Sequence, residues 1–366
     1  MKKLRTLITV FLAVVVFASC FAIFAGCSAK TYEIAVVTDV GQLMDGGFNQ
    51  GTYEGAKAYA EAHNISYKYY QPANGANATD ADREAAMNLA ITSGAKVIVA
   101  PGFLQAAAMT AVATANPDVK FIFVDGWALG LDNVTAVVYK EEESGFMAGY
   151  AAVMEGYTNL GATLGGGGTN PACNRFGAGY VLGAQTAAQE KGSNVSVKVS
   201  FQYGSAFSAS AELQTQISGW YANGTEVVFA CGGSMFESVK AAAEETTNGK
   251  IIGVDVDQSG LSERVITSAV KGLSVSVQKI LGQIYNNEWA SLSNQASNLG
   301  AADDATGLPT ANWRMTNFTV DAYNTLFNKI KNGQITINTG NTTGACNNAE
   351  FWQGLVSSDF ITVQYE

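Results

Sequence analysis

Five aspartates, Asp39, Asp45, Asp125, Asp255 and Asp257, stand in or beside polar turns that follow short β-branched runs, and they are the residues of this sequence best placed for chemistry. Grouped carboxylates can serve as general acid and base, or they can accept hydrogen bonds from the hydroxyls of a ligand that is left intact. Catalysis would need further groups. The sequence has no Gly-x-Ser-x-Gly elbow and no His-based triad, and its single histidine, His63, lies in a helix-like segment. No Cys-x-x-Cys or Cys/His cluster offers a thiolate metal site. Gly165-Gly166-Gly167-Gly168 lacks the Gly-Lys-Ser/Thr ending of a phosphate loop and reads as a flexible strand-to-helix loop, with Asn170-Pro171 starting the next turn. A binding protein that is not an enzyme is therefore expected, with no catalytic residue, metal or cofactor; only the aspartate set keeps a hydrolase open.

The elements around these residues alternate short apolar runs with segments of helical period, the pattern of βα units and a parallel sheet. Strands are expected at 33–37, 66–70, 96–100 and 120–124, with helices at 50–63, 80–93 and 103–115 between them. A second set of the same kind follows, with strands at 160–164, 195–201, 226–230 and 250–254 and helices at 179–191, 209–222 and 236–245. The expected fold is α/β, two doubly wound lobes with parallel sheets facing a central cleft. In such sheets ligands bind outside the carboxyl ends of the strands. The loops there are rich in Gly, Asp, Asn, Gln and aromatic residues, the composition of a small-molecule site.

The amino terminus directs the chain out of the cytoplasm. Lys2, Lys3 and Arg5 precede an uncharged stretch from Leu7 to Ala25, the layout of a secretory signal. Phe24-Ala25-Gly26-Cys27 resembles the bacterial lipobox, which makes 1–26 a signal peptide, Cys27 the lipidated residue and 27–31 a tether; Ser19-Cys20 is the rival cleavage point. Cleavage at Cys27 removes three of the 21 basic residues and none of the 31 acidic ones, so the net charge moves from −10 to −13. Such a field disfavours phosphate backbones, and no nucleic-acid partner is expected. Cys173, Cys231 and Cys346 then allow at most one disulfide.

Several blocks in order resemble the BMP lipoproteins, relatives of the type I periplasmic binding proteins that include purine-nucleoside receptors. They are Val36-Val37-Thr38-Asp39-Val40-Gly41, Asp45-Gly46-Gly47-Phe48-Asn49-Gln50, Val124-Asp125-Gly126, Glu142 to Tyr150, Ile252 to Gln258 and Thr267 to Lys271. Beyond about Trp289 little matches, and the loop from Tyr203 to Ser208 departs from the family. The resemblance implies an extracytoplasmic, lipid-anchored substrate-binding protein of an ABC importer. It would be a monomer that captures a purine nucleoside or related small polar ligand, delivers it to a permease, and touches the membrane through its lipid alone. A ligand-sensing lipoprotein of the same fold is the alternative. Lobe boundaries are expected at 32–139 with 271–312, and at 140–270 with 313–366.

The candidate ligand residues are Asp39, Phe48, Asn49, Asp125, Phe207, Gly232, Asp255 and Lys271. Asp45 or Gly47 can cap a helix starting near Phe48, whose free amides would point at the cleft, while Asn49 offers a donor and an acceptor to a heterocycle edge. Phe48 reads equally as a hydrophobic staple or a flat ligand wall; the resemblance favours base stacking. Phe207 is the opposite wall, with Phe201 or Tyr203 as substitutes. By the same resemblance Asp255 and Lys271 hold a ribose, against the alternative of a structural salt bridge. Arg175 could meet an anionic ligand but reads more readily as a solvated helix-end residue, and Glu141-Glu142-Glu143 reads as an acidic cluster favoured by a helix dipole and not as a metal cage.

Overall fold

Residues 30–40, 42–201, 207–357 and 359–366 are described by a computed structural model. Cys27, the signal segment and Tyr203 lie outside them. No helix among the described residues is long and apolar enough to cross a membrane.

Continuous apolar runs form the strands, because parallel strands covered by helices are buried on both faces. The first sheet takes β1 (Ile34–Val37), β2 (Tyr67–Tyr70), β3 (Val97–Pro101), β4 (Lys120–Val124) and β5 (Val134–Tyr139). Its order is β11-β5-β4-β3-β1-β2, all parallel, with the late strand β11 (Ala296–Leu299) at one edge. Helices α1 (Phe48–Ala62), α2 (Asp80–Thr92) and α3 (Ala106–Ala115) make the crossovers. Thr79 starts α2 with a reciprocal capping box to Asp82.

The second sheet contains β6 (Asn159–Leu164), β7 (Val195–Phe201), β8 (Val227–Cys231), β9 (Lys250–Asp255), β10 (Val265–Lys271), β12 (Thr306–Gly307) and β13 (Ile361–Tyr365). Its order is β12-β10-β9-β8-β6-β7-β13, parallel except for the short antiparallel β12. The covering helices are α4 (Glu141–Glu155), α5 (Pro171–Lys191), α6 (Ala211–Ala222) and α7 (Met235–Glu244), joined later by α9 (Val320–Lys331) and α10 (Ala349–Leu355). Helix α8 (Leu273–Tyr285) packs on α1 instead, burying Leu273, Val277, Ile280 and Leu281 against Ala56, Tyr59 and Ala60. The chain thus passes from the first sheet to the second after β5, back after β10, and over again between β11 and β12. That last passage precedes residue 312, because Val270 and Lys271 of β10 take Gly307 and Thr306 as ladder partners.

Two local expectations are corrected. Asn170-Pro171 does not open a turn: the Asn170 carboxamide oxygen accepts from the Ala172 and Cys173 amides, and Pro171 sits in the first turn of α5, so the helix starts well before Gly179. The segment 103–115 is not one helix, since a 3-10 turn over Phe103–Gln105 leads into α3.

Candidate functional site

A cavity of about 400 Å³ lies at the carboxyl ends of both sheets, within the usual range for small-molecule sites. Asp39, Phe48, Asn49, Asp125, Phe207, Gly232, Asp255 and Lys271 all line it. The first four come from the first-sheet side and the others from the second, so the fold brings together residues far apart in sequence.

In each sheet a strand ends on an aspartate in the left-handed region, Asp125 after β4 (φ 58°) and Asp255 closing β9 (φ 68°). Aspartate tolerates this conformation better than most residues with a Cβ, though at some cost. Both carboxylates meet Lys271, the last residue of β10. Its Nζ lies 2.5 Å from Asp125 Oδ2 and 3.6 Å from both Asp255 Oδ1 and Glu141 Oε1. Glu141 is fully buried, and its other oxygen accepts from Arg175 Nε at 2.7 Å. Arg175 is therefore no solvated helix-end residue, because its guanidinium neutralises a carboxylate that has no access to water. Nor is the dipole the whole account of the acidic triplet: Glu143 Oε2 accepts from the Ala301 amide and the Thr306 hydroxyl.

One lysine among three carboxylates cannot hold all of them ionised at low cost. Burial, opposed by Lys271 and reinforced by Asp125, Asp45 and Glu141, pushes the Asp255 carboxyl up to about 7. Burial, again opposed by Lys271, raises Asp125. For Lys271 burial acts downward, yet Asp125, Asp255 and Glu141 together carry it above its ordinary value. Burial also raises Asp45, despite its backbone hydrogen bonds, and pushes Glu142 up to about 7. Asp255 and Glu142 hold protons in the folded state that the unfolded chain gives up at lower pH, and the raised Asp45 and Asp125 act in the same direction, so stability should fall as pH rises from about 5 to 8. Thermal melts of ligand-free protein across that range check this; a flat or rising melting temperature contradicts it.

Asp45 organises the start of α1. Its carboxylate accepts from the amides of Gly47, Asn49 and Gln50 at 2.9 to 3.1 Å and from Asn49 Nδ2 at 3.1 Å. The amides of Asn49 and Gln50 are consequently not free to meet a ligand, contrary to expectation. The cap comes from the Asp45 side chain, two residues ahead of the N-cap Gly47. Asn49 is buried, and its Nδ2 also faces Asp39 Oδ1 at 3.3 Å, which leaves Oδ1 as an unpartnered acceptor. Asp39 fits because Gly102 (φ 100°) lacks a Cβ, which would stand 2.3 Å from Asp39 Oδ2.

Phe48 is the first residue of α1, inside the helix, whereas a staple residue precedes the N-cap. It packs on the first-sheet core and faces the cavity, with Lys271 Nζ 4.6 Å from its ring centroid. From the second-sheet side, Phe207 lies over Gly165 and Gly232; a Cβ on Gly232 would come within 3.1 Å of its ring. Phe201 is no substitute wall, because it is buried against Trp352 and Tyr365 in the second-sheet core. Sequence reading has Asp45 as a helix cap in a ligand-facing turn but not among the candidate ligand residues, and it misses Cys173 and Phe176 on α5. The Asn-Pro start of α5 was the signal that could have placed those two. Among the described residues no group of His, Cys, Asp and Glu is arranged to hold a metal ion.

Comparison with known proteins agrees with this architecture. A family model described as ABC transporter substrate-binding protein PnrA-like (Bmp) matches residues 32–341. The ABC transporter nucleoside-binding protein BmpA of Lactococcus lactis subsp. cremoris is 30% identical over 291 residues, 71% of this chain and 80% of the relative. An uncharacterized lipoprotein of Pyrococcus abyssi is 25% identical over 287 residues, 73% of this chain and 69% of the relative. Among solved structures, an ABC transporter solute-binding protein from Aeropyrum pernix K1 superposes with a TM-score of 0.73 at 22% identity, covering 88% of this chain and 98% of that one. At that identity the likeness shows the fold, the two-lobed arrangement of type I periplasmic binding proteins.

Proposed function

The chain belongs to the Bmp family of PnrA-like ABC transporter substrate-binding proteins, and we propose that the ligand it captures is a purine nucleoside. Proteins of this family bind and deliver; they are not enzymes, and their partners are a small-molecule ligand and a transporter permease. The observation that carries the nucleoside reading is the excess of acceptors in the cavity. Asp39, Asp45, Asp125, Asp255 and Asn49, whose Oδ1 is unpartnered, line the cavity, and among the described lining residues the one cation, Lys271, is already engaged by carboxylates. Such a lining suits an uncharged ligand rich in O–H and N–H donors and opposes a phosphate.

In this reading the base lies between Phe48 and Phe207, and Asn49 reads its edge. The ribose hydroxyls donate to Asp255, while Lys271 holds the carboxylates in place and donates to the sugar. Gly232 gives the Phe207 wall room to approach, and Asp39 and Asp125 complete the polar floor. The nucleoside-binding relative in Lactococcus lactis supports the same assignment.

Calorimetric titration with inosine, its free base and its monophosphate tests it. A hydrogen bond to a charged group contributes about 1.5–3 kcal/mol, so Asp255→Ala should weaken inosine at least tenfold and the free base much less. Phe48→Ala should weaken both by about 1–3 kcal/mol, the range for base–aromatic stacking. Equal wild-type affinity for base and nucleoside, or for nucleoside and monophosphate, would remove the assignment.

The chain is further proposed to work as a monomer tethered outside the cell by a diacylglyceryl group on Cys27, two acyl chains being enough for stable anchoring. The lipobox-like Phe24-Ala25-Gly26-Cys27 supports this. On detergent partition, Cys27→Ser should leave the membrane fraction or retain its signal; a processed variant that stays with the membrane contradicts the anchor.

A further inference from the structure

Two of the three cysteines among the described residues meet at the wall of the ligand cavity. Cys231 closes β8 and Cys173 lies in the first turn of α5; both are buried and both line the cavity. The Cys173 thiol points at the Cys231 carbonyl, with Sγ 3.9 Å from the oxygen. The third, Cys346, does not line the cavity, and its thiol points at the carbonyls of Asn341 and Gly344. All three are free thiols in this structure.

The geometry points to Cys173 and Cys231 as a redox site of the cleft wall, a dithiol that low-molecular-weight disulfides entering the cavity convert to a protein disulfide. Their backbones are held by separate elements packed side by side. Cys231 pairs with Leu164 in the β6–β8 ladder, and its carbonyl also accepts from the Gly165 amide at 2.8 Å. Cys173 is fixed by Asn170, whose side chain accepts its amide. An exported protein meets the oxidising surroundings in which such bonds persist.

The reaction is thiol–disulfide exchange. Cys173, deprotonated, attacks one sulfur of the small disulfide; a mixed disulfide forms and the other half leaves as a thiolate, which takes up a proton. Cys231, deprotonated, then attacks the Cys173 sulfur of the mixed disulfide and expels the second half as a thiol. Two protein thiols are oxidised and one small disulfide is reduced to two thiols. Burial and the neighbouring Cys173 thiol hold Cys231 well above the ordinary thiol range. The thiolate that the second step needs therefore increases with pH, and that step accelerates with it.

A ligand seated in the cavity covers the route by which the small disulfide enters, which rests on the cavity being the ligand site. Pre-reduced mature protein is incubated with 2-hydroxyethyl disulfide, a small uncharged disulfide, then quenched, alkylated under denaturing conditions and peptide-mapped. The expected result is a linked Cys173–Cys231 peptide forming faster at pH 8.5 than at pH 7, with Cys346 alkylated. Cys231→Ser should instead accumulate the mercaptoethanol mixed disulfide on Cys173, whereas Cys173→Ser should leave Cys231 alkylated. Recovery of both thiols fully alkylated, or a link involving Cys346, overturns the proposal. Saturating inosine should slow the link at least fivefold. If inosine binds by calorimetry and the rate is unchanged, entry through the cleft is wrong. If inosine does not bind, the nucleoside reading fails while the linkage result stands.

Discussion

Replacing Lys271 by methionine should cost about 3–5 kcal/mol of folding stability at pH 8, the penalty for removing one partner from a buried ion cluster. The Lys271 side chain is 2% exposed and lies among Asp125, Asp255 and Glu141, whose side chains are 12%, 8% and 0% exposed. Methionine fills the volume but leaves those carboxylates facing one another without a counter-charge, apart from what Arg175 gives Glu141. Asp125 and Asp255 can relieve this by taking up protons, so the loss should shrink as pH falls toward 5. Adding Asp125→Asn should recover part of the stability, because one of the stranded charges goes with it. Chemical denaturation of wild type, single and double variants at both pH values gives the comparison. A single variant that loses under about 1 kcal/mol at pH 8 would mean that Lys271 is not the centre of a buried network.

That network also shows where sequence reading stops. The aspartates at 125 and 255 could be picked out because they follow apolar runs, and parallel sheets bind ligands at strand ends. Glu141 and Arg175 could not, because what joins them to Lys271 is the passage of the chain between sheets after β5 and again after β10. In sequence they read as a helix-start carboxylate and a surface arginine; in space they form the second layer of the site. The start of α1 was misjudged for a related reason. Asp45 was recognised as a cap, but a carboxylate that takes three backbone amides uses up the donors that seemed available to a ligand.

Strands such as β3 and β8, buried at every residue, were legible as unbroken apolar runs. By contrast β10 hides its nature, since Thr267, Ser268 and Lys271 are polar yet buried, and they look like a hinge segment. Edge strand β11 reads Ala-Ser-Asn-Leu with mostly exposed side chains, so no alternation marks it. The carboxyl-terminal strand β13 does alternate, with Ile361 and Val363 buried, but it is too short and too far from the matched blocks to assign without the β7 edge it pairs with.

The same Gly→Ala change should have opposite signs at two helical glycines. Helices α4 and α5 approach so closely that Cβ atoms built on Gly145, Gly149, Gly179 and Gly183 would stand 1.9–2.2 Å from backbone carbonyl oxygens of the facing helix. For Gly149 the neighbour is the Tyr180 carbonyl at 1.9 Å, backbone that no rotamer change can move aside. Gly149→Ala gains up to about 1 kcal/mol of helix propensity, but the helices must separate to admit the methyl group. Overpacking of this kind typically costs 1–3 kcal/mol, and a clash with rigid backbone belongs at or beyond the upper end, about 3 kcal/mol net. At Gly219 in α6 a Cβ would meet nothing within 4 Å, so Gly219→Ala should stabilise by up to about 1 kcal/mol. Separation of α4 from α5 also reaches the cavity, since Glu141 heads one helix and Arg175, Cys173 and Phe176 belong to the first turns of the other. If the proposed nucleoside is the ligand, Gly149→Ala should therefore weaken inosine even where the protein remains folded, and Gly219→Ala should leave binding unchanged. Equal melting temperatures for the two variants would show that the α4–α5 contact yields without cost, and the coupling between helix packing and the cavity would go with it.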